Sequence, residues 1–327
     1  MAPSSGRRPL VRRALPWFTL SVLALVAPEA EAQTYHRTLV PGRPFCVVWP
    51  IRDYVYRLDS AGYSRTPGDS EISAIEAAVA SWRAVSHSCS DFTFTRGPDI
   101  QNPQVGYVKD SEDNYNVFTF REVDCNDVVE PDDPCIEDDT CGNKYACWEH
   151  GVGTIGLTTT TFSFRTGYIL DADIEFNASR EGKGITFTTV DSPPCEGEQT
   201  SHCVFTDIQN TATHEFGHVV GLDHVPEVPG STMEPTAQTG ETHKRIIDAG
   251  SAAGFCDAYP RGLPPTQCGE RPDLGRHFQA VSTGPGLGCG AAPGFLFPSA
   301  ALWGLLALGR RRQRAGKRGA APRAFRD

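Results

Sequence analysis

Between Thr211 and His224 the chain reads Thr-Ala-Thr-His-Glu-Phe-Gly-His-Val-Val-Gly-Leu-Asp-His, which puts three histidines and one glutamate in one short stretch. His214 and His218 stand four residues apart, so on a helix they share one face, one turn from each other. Two imidazoles placed this way can bind one zinc ion from the same side. Glu215 falls beside such a metal rather than on it, where a general base for an activated water is needed. Gly221 follows three residues after His218, and a glycine there can take a left-handed conformation, end the helix and turn the chain back. That turn brings in His224 as a third ligand. Three protein ligands leave a fourth position open to water, which separates a catalytic zinc from a closed structural one. The alternative is an amphipathic helix with incidental histidines, and it asks five constrained positions to coincide by chance.

The stretch His214-Glu-Phe-Gly-His-Val-Val-Gly-Leu-Asp-His224 resembles the extended zinc signature of the metzincin metalloproteases. Downstream, Ser231-Thr-Met-Glu-Pro235 resembles their Met-turn, with Met233 beneath the metal; Met233 and Met1 are the chain's two methionines. The Ser-x-Met-x-Pro pattern and Gly217 inside the helix are most similar to matrixins. Astacin-type chains carry a tyrosine two residues after the methionine, where this chain has Pro235. The resemblance implies an α+β fold, a twisted and mostly parallel sheet with one antiparallel edge strand, an active-site helix and the Met-turn. It implies a zinc endopeptidase in which His214, His218 and His224 hold one catalytic zinc and Glu215 is the base. It also implies that the strand ahead of the zinc helix is the sheet edge that receives substrate. Ile155 to Thr160 is the matching stretch, with Ile155, Gly156, Leu157 and Thr158 as substrate-binding residues. An edge strand pairs with an extended peptide through backbone hydrogen bonds that any peptide offers; an ordinary strand is the alternative.

Two family features are missing from the sequence. Vertebrate matrixins carry histidines for a second, structural zinc near the position of Ile169 to Asn177, but this chain has no histidine between His150 and His202, so no second zinc is expected. Many matrixins are kept latent by a propeptide cysteine. The residues from Gln33 to Phe45 are too few for a folded propeptide and hold no such cysteine motif. A rival function of another class is a zinc-binding surface or scaffold protein that does not cleave; the intact Glu215 argues against it. A protease restricted to one partner is a third reading.

The elements that must position these residues follow from periodicity. Phe45 to Trp49 predicts a first strand, and Asp69 to Ser86 a helix whose Ile72, Ile75, Ala78, Val79 and Trp82 form an apolar face. Asp91 to Thr95 alternates as a second strand, and strand, helix, strand predicts a crossover in a parallel sheet, with Cys46 near enough to Cys89 to pair. Val105 to Val108 and Asn116 to Phe120 are candidate strands. From Arg121 to His150 the chain is acidic and holds Cys125, Cys135, Cys141 and Cys147, an insertion stapled by two disulfides of undetermined connectivity. Asp132, Asp133, Asp138 and Asp139 there, and Asp171 and Asp173 further on, are candidate calcium ligands; for the first group a solvated acidic loop is the stronger alternative. Gly153 to Thr161 and Ile169 to Asn177 predict two more strands. Cys195 and Cys203 flank a loop and are expected to pair. Thr206 with Gln209 forms a capping box, so the zinc helix is expected over 207–220, and a last helix over 246–258.

Both ends look like processing segments. Residues 1–32 have the arginine-rich start, apolar core and small-residue cleavage pattern of a secretory signal, with an uncleaved anchor as the alternative. Residues 33–260 are expected to be the protease domain and the Gly/Pro-rich 261–290 a linker. In 291–327 an apolar stretch precedes an arginine cluster. With Gly288-Cys289-Gly290, these resemble the C-terminal sorting signals of myxobacterial surface proteins, or a plain membrane anchor. Setting Cys289 aside, the remaining ten of 11 cysteines can all pair, as an oxidising compartment favours. The formal net charge of −10 includes both basic ends, so the body is more acidic still, which argues against nucleic acid. A protein or peptide substrate, a secreted or surface-attached location and a monomeric state are expected.

Overall fold

The computed structural model describes residues 34–268, apart from 112, 198, 199 and 201, together with 289–291 and 324–325. The signal segment 1–32, most of the stretch assigned as linker and most of the tail lie outside the described residues.

The fold is mixed α and β. The central sheet is built from β1 (Asp53–Leu58), β2 (Thr93–Arg96), β3 (Asn116–Arg121), β4 (Thr154–Ser163) and β5 (Ile169–Asn177). Their order is β4-β5-β3-β1-β2. β1, β2, β3 and β5 run parallel, and β4 is antiparallel to β5 over most of its length. Beyond β4 come Cys289–Ala291 and then Thr236–Ala237. The helices are α1 (Ser70–Cys89), two short turns in the cysteine-rich insertion, α2 (Cys135–Asp138) and α3 (Cys141–Tyr145), then α4 (Ile208–Val219) and α5 (Ala249–Ala258).

Alternation in β1 turns Tyr54, Tyr56 and Leu58 inward. Tyr54, Tyr56, Phe94 and Phe118 form an aromatic floor, and Phe216 of α4 lies on it with ring centroids 4.8 Å from Phe118 and 6.0 Å from Tyr56. Rings at such separations add pairwise attraction to a large buried area. Trp82 of α1, fully buried, donates its indole N–H to the Thr213 carbonyl at 2.9 Å. Sheet and α1 thus hold α4 from two sides, and the residue after Glu215 is the anchor.

Several sequence expectations are corrected. Phe45 to Trp49 is not a strand; it makes isolated bridges to Leu39 and Tyr168. Cys46 to Trp49 are buried without a ladder, and the Trp49 indole donates to the Val219 carbonyl at 2.8 Å, at the end of α4. Val105 to Val108 is a loop, because side chains rather than a neighbouring strand satisfy it: Val105 N–H reaches Asn143 Oδ1 at 2.8 Å and Gly106 N–H reaches Asp173. Cys46 pairs with Cys268, and Cys89 with Cys256, not with each other. The first bond ties the chain at Cys268 back to its beginning, and the second ties α1 to α5. The insertion is closed by Cys125–Cys147 around Cys135–Cys141, and Cys195 pairs with Cys203 as expected. Five disulfides suit an oxidising, extracellular compartment. Among the described residues no helix is long and apolar enough to cross a membrane.

Candidate metal centre

α4 is capped by Asp207, whose carboxylate accepts the Asn210 N–H at 2.7 Å. The cap is therefore Asp207 and not Thr206, which pairs with Phe187 in a two-residue ladder. Arg245 holds the Asp207 carboxylate from the other side. The helix is buried almost all round, with His214 and Glu215 at 0 % exposure. It ends at Gly221, whose φ of +85° is left-handed and whose N–H donates to the His218 carbonyl at 2.9 Å. Leu222–Asp223 then pairs antiparallel with His36–Arg37, and the Thr38 N–H donates to the Gly221 carbonyl at 2.9 Å. The start of the described chain therefore sets the direction in which His224 returns.

His214 Nε2 lies 3.2 Å from His224 Nε2, which is 3.0 Å from His218 Nε2. The outward nitrogens fix the tautomers. His214 Nδ1–H donates to the Thr232 carbonyl at 2.6 Å, and His218 Nδ1–H to the Leu222 carbonyl at 3.0 Å. Both inner nitrogens are then lone-pair acceptors aimed at one point, with no proton between them. Burial first, then the neighbouring His218 and His224, lowers the pKa of His214 well below the usual imidazole range. Burial, with His218 next, takes His224 down to about 2. Three Nε2 atoms this close, two of them bare lone pairs, suit a cation between them, and three nitrogens on one centre fit zinc with an open position. Among the described residues these three histidines are the group of three or more His, Cys, Asp or Glu able to hold a metal ion. The acidic residues of the insertion form no such group. Asp133 is instead taken up by the Lys144 ammonium, the Tyr145 hydroxyl and the Cys135 N–H. Asp171 and Asp173 form a buried pair, with Asp173 accepting the backbone N–H groups of Gly106 and Val117.

Glu215 is held from β4. The Thr158 hydroxyl donates to Glu215 Oε2 at 2.7 Å, while Oε1 is buried with no hydrogen-bond partner. Burial raises the Glu215 carboxyl above its ordinary pKa. A buried carboxylate oxygen without a donor is costly, and a water at the open metal position would supply one. Gly156, two residues before Thr158 and on the same side of the strand, backs the same group: a Cβ there would lie 2.8 Å from Glu215 Oε1. Ile155 and Leu157 are buried, at 2 % and 5 % exposure. The four strand residues assigned to substrate thus include two, Gly156 and Thr158, whose own contacts are with the glutamate.

Met233 is 1 % exposed and packs beneath α4, where its Sδ would be 2.2 Å from a Cβ at Gly217. The glycine in the helix is there because the methionine fills its side-chain space. Asp248 is the residue that sequence reasoning missed. One of its oxygens accepts the Thr232 N–H at 2.7 Å and the Ser231 hydroxyl at 3.1 Å, while the other caps α5 through the Gly250 and Ser251 N–H groups. It thereby fixes the loop whose carbonyl orients His214. The cue was an aspartate just ahead of a helix, and the predicted start at Ile246 hid it; α5 begins at Ala249.

Compared with known proteins, the chain matches no family model and no curated protein.

Proposed function

We propose that the chain is a secreted or surface-attached zinc endopeptidase, similar in plan to the matrixin-like metzincins. The observation that carries this reading is the convergence of three imidazole Nε2 atoms beside a buried glutamate that has one fixed and one unpartnered oxygen. Zinc held by His214, His218 and His224 would act as a Lewis acid toward the scissile carbonyl and lower the pKa of a water to about 7. Thr158 keeps Glu215 Oε2 in place, leaving Oε1 to accept a proton from water and return it to the leaving amine. The Thr232 and Leu222 carbonyls keep the His214 and His218 lone pairs pointing inward. Met233 and Asp248 hold the loop behind His214, and the β4 edge lines a peptide up by backbone pairing. The five disulfides and the leader-like first residues support secretion.

The test is a mixed peptide library incubated with the wild-type chain and with Glu215→Ala, each freed of its tail, read by mass spectrometry. Cleavage by the wild type that disappears in the variant, and in the wild type on chelation, is expected. Zinc bound by both with no cleavage by either would replace the protease with a zinc-binding surface protein.

A further inference from the structure

The outer side of β4 is met by three residues from the far end of the chain. Cys289–Ala291 pairs antiparallel with β4, Cys289 opposite Gly156 and Gly290 opposite Thr154, with a register shift between them. Two of them also pair parallel with Thr236–Ala237, Gly290 opposite Thr236 and Ala291 opposite Ala237. They therefore stand as a strand between the sheet edge and the loop that follows Met233. Backbones directly opposite in an antiparallel pair lie about 5 Å apart. Gly156 has Glu215 Oε1 at the place of its missing Cβ, so a chain paired at this register lies beside the strand residue that backs that carboxylate and takes up the backbone groups a peptide would pair with there. Cys289-Gly-Ala291 are small, uncharged residues, and the sequence around them, Gly286 to Pro293, carries no charge either.

We propose that this C-terminal segment is a ligand of the protein's own peptide cleft, held by strand addition on both sides and keeping other peptides out while it is there. The proposal rests on the reading of the β4 edge as a peptide-receiving edge. Recognition through backbone pairing needs no particular side chains, and being covalently attached makes the contact intramolecular, so even weak pairing outcompetes a free peptide at ordinary concentrations. The proposal also names the ligand class of the cleft: an extended, uncharged peptide with small residues opposite Thr154 and Gly156. A tail held on β4 would restrain the cleft from the C-terminal side of the domain.

The experiment uses the full chain carrying Glu215→Ala, so that nothing is turned over, with a sequence-specific protease site inserted between Arg271 and Thr283. A fluorescent synthetic peptide of residues 284–296 is the probe, and anisotropy is read before the cut and again after the cut and removal of the tail. The expected result is at least tenfold tighter probe binding after the cut, no binding of a probe with Gly290→Pro, and probe binding without any cut when Gly290→Pro is placed in the chain itself. Equal binding before and after, or none after, overturns the proposal. The same cut made in a chain with Glu215 intact separates the two readings. Probe binding without hydrolysis of any peptide would sink the protease and leave the tail proposal standing. Equal hydrolysis by cut and uncut chains would sink the tail proposal and leave the protease.

Discussion

Gly221→Ala puts a methyl group at the turn that carries the chain from His218 to His224, and two separable costs follow. The backbone φ of +85° is one that residues with a Cβ rarely adopt, at about 1–2 kcal/mol. The added Cβ would also lie 2.8 Å from the Val47 carbonyl oxygen. That carbonyl belongs to backbone fixed on both sides, since the Val47 and Val48 N–H groups donate to Thr38 and Gly167. The clash must therefore be relieved by moving Gly221 itself, at about 1–3 kcal/mol for overpacking of this kind. The total, about 2–5 kcal/mol, is a large part of the roughly 5–15 kcal/mol that holds a domain folded. It falls on the segment that positions His224, the third histidine of the candidate site. Thermal unfolding with and without zinc, and zinc titration against a chromophoric chelator, measure the two consequences. The melting temperature should fall by roughly 4–20 °C, at about 2–4 °C per kcal/mol for a domain of this size. Zinc affinity should drop at least tenfold. Gly262→Ala is the control: its φ is +70° with nothing within 4 Å of the added Cβ, so it carries the conformational cost alone and should leave zinc affinity unchanged. If Gly221→Ala matches Gly262→Ala in both melting temperature and zinc affinity, the steric account of the turn is wrong.

Gly156→Ala pushes a methyl group against Glu215 Oε1 at 2.8 Å and Thr211 Cγ2 at 3.1 Å; kcat/KM should fall by about 10²-fold, the low end of what a general base contributes, while zinc content stays at the wild-type level. Thr158→Val keeps the volume but removes the hydroxyl on Glu215 Oε2; losing a hydrogen bond to a charged group, worth about 1.5–3 kcal/mol, should slow peptide hydrolysis roughly 10- to 100-fold, and an unchanged rate would dismiss Thr158 as a positioning residue. Asp171 is raised by burial to about 6, so the folded chain holds a proton there that the unfolded chain releases near its ordinary value of 3.8. Its contribution to stability is therefore present at low pH and is lost as pH rises toward 6. Asp171→Asn should become more stable relative to wild type by up to about 3 kcal/mol between pH 4 and pH 7, read from denaturant midpoints; a pH-independent difference would contradict the buried-acid assignment.

What the sequence makes legible is what local spacing encodes. The histidines four apart, the glutamate between them and the glycine that ends the helix are all set within one turn and its cap, and β4, β5 and α1 lie where alternation and helical periodicity place them. The missed features depend on partners far away in the chain. Cys46–Cys268 and Cys89–Cys256 span sequence separations of 222 and 167, and nothing near either cysteine announces its partner. Phe45 to Trp49 has the composition of a strand, but its burial comes from packing against the end of α4 and not from a ladder. Thr158 belongs to the stretch assigned to substrate, yet its hydroxyl reaches Glu215, because alternate residues of the strand face α4. Asp248 was hidden by a helix boundary placed three residues early. In each case the sequence carries the residue, and only the tertiary arrangement assigns its partner.

The most direct test of the central claim is zinc stoichiometry measured together with peptide hydrolysis on one set of purified proteins, freed of their tail: wild type, His214→Ala, His218→Ala, His224→Ala and Glu215→Ala. One zinc per chain and hydrolysis are expected for the wild type, and loss of both in each histidine variant. One retained zinc with no hydrolysis is expected for Glu215→Ala. Zinc retained at full affinity without any one of the three histidines, or undiminished hydrolysis without Glu215, would contradict that claim.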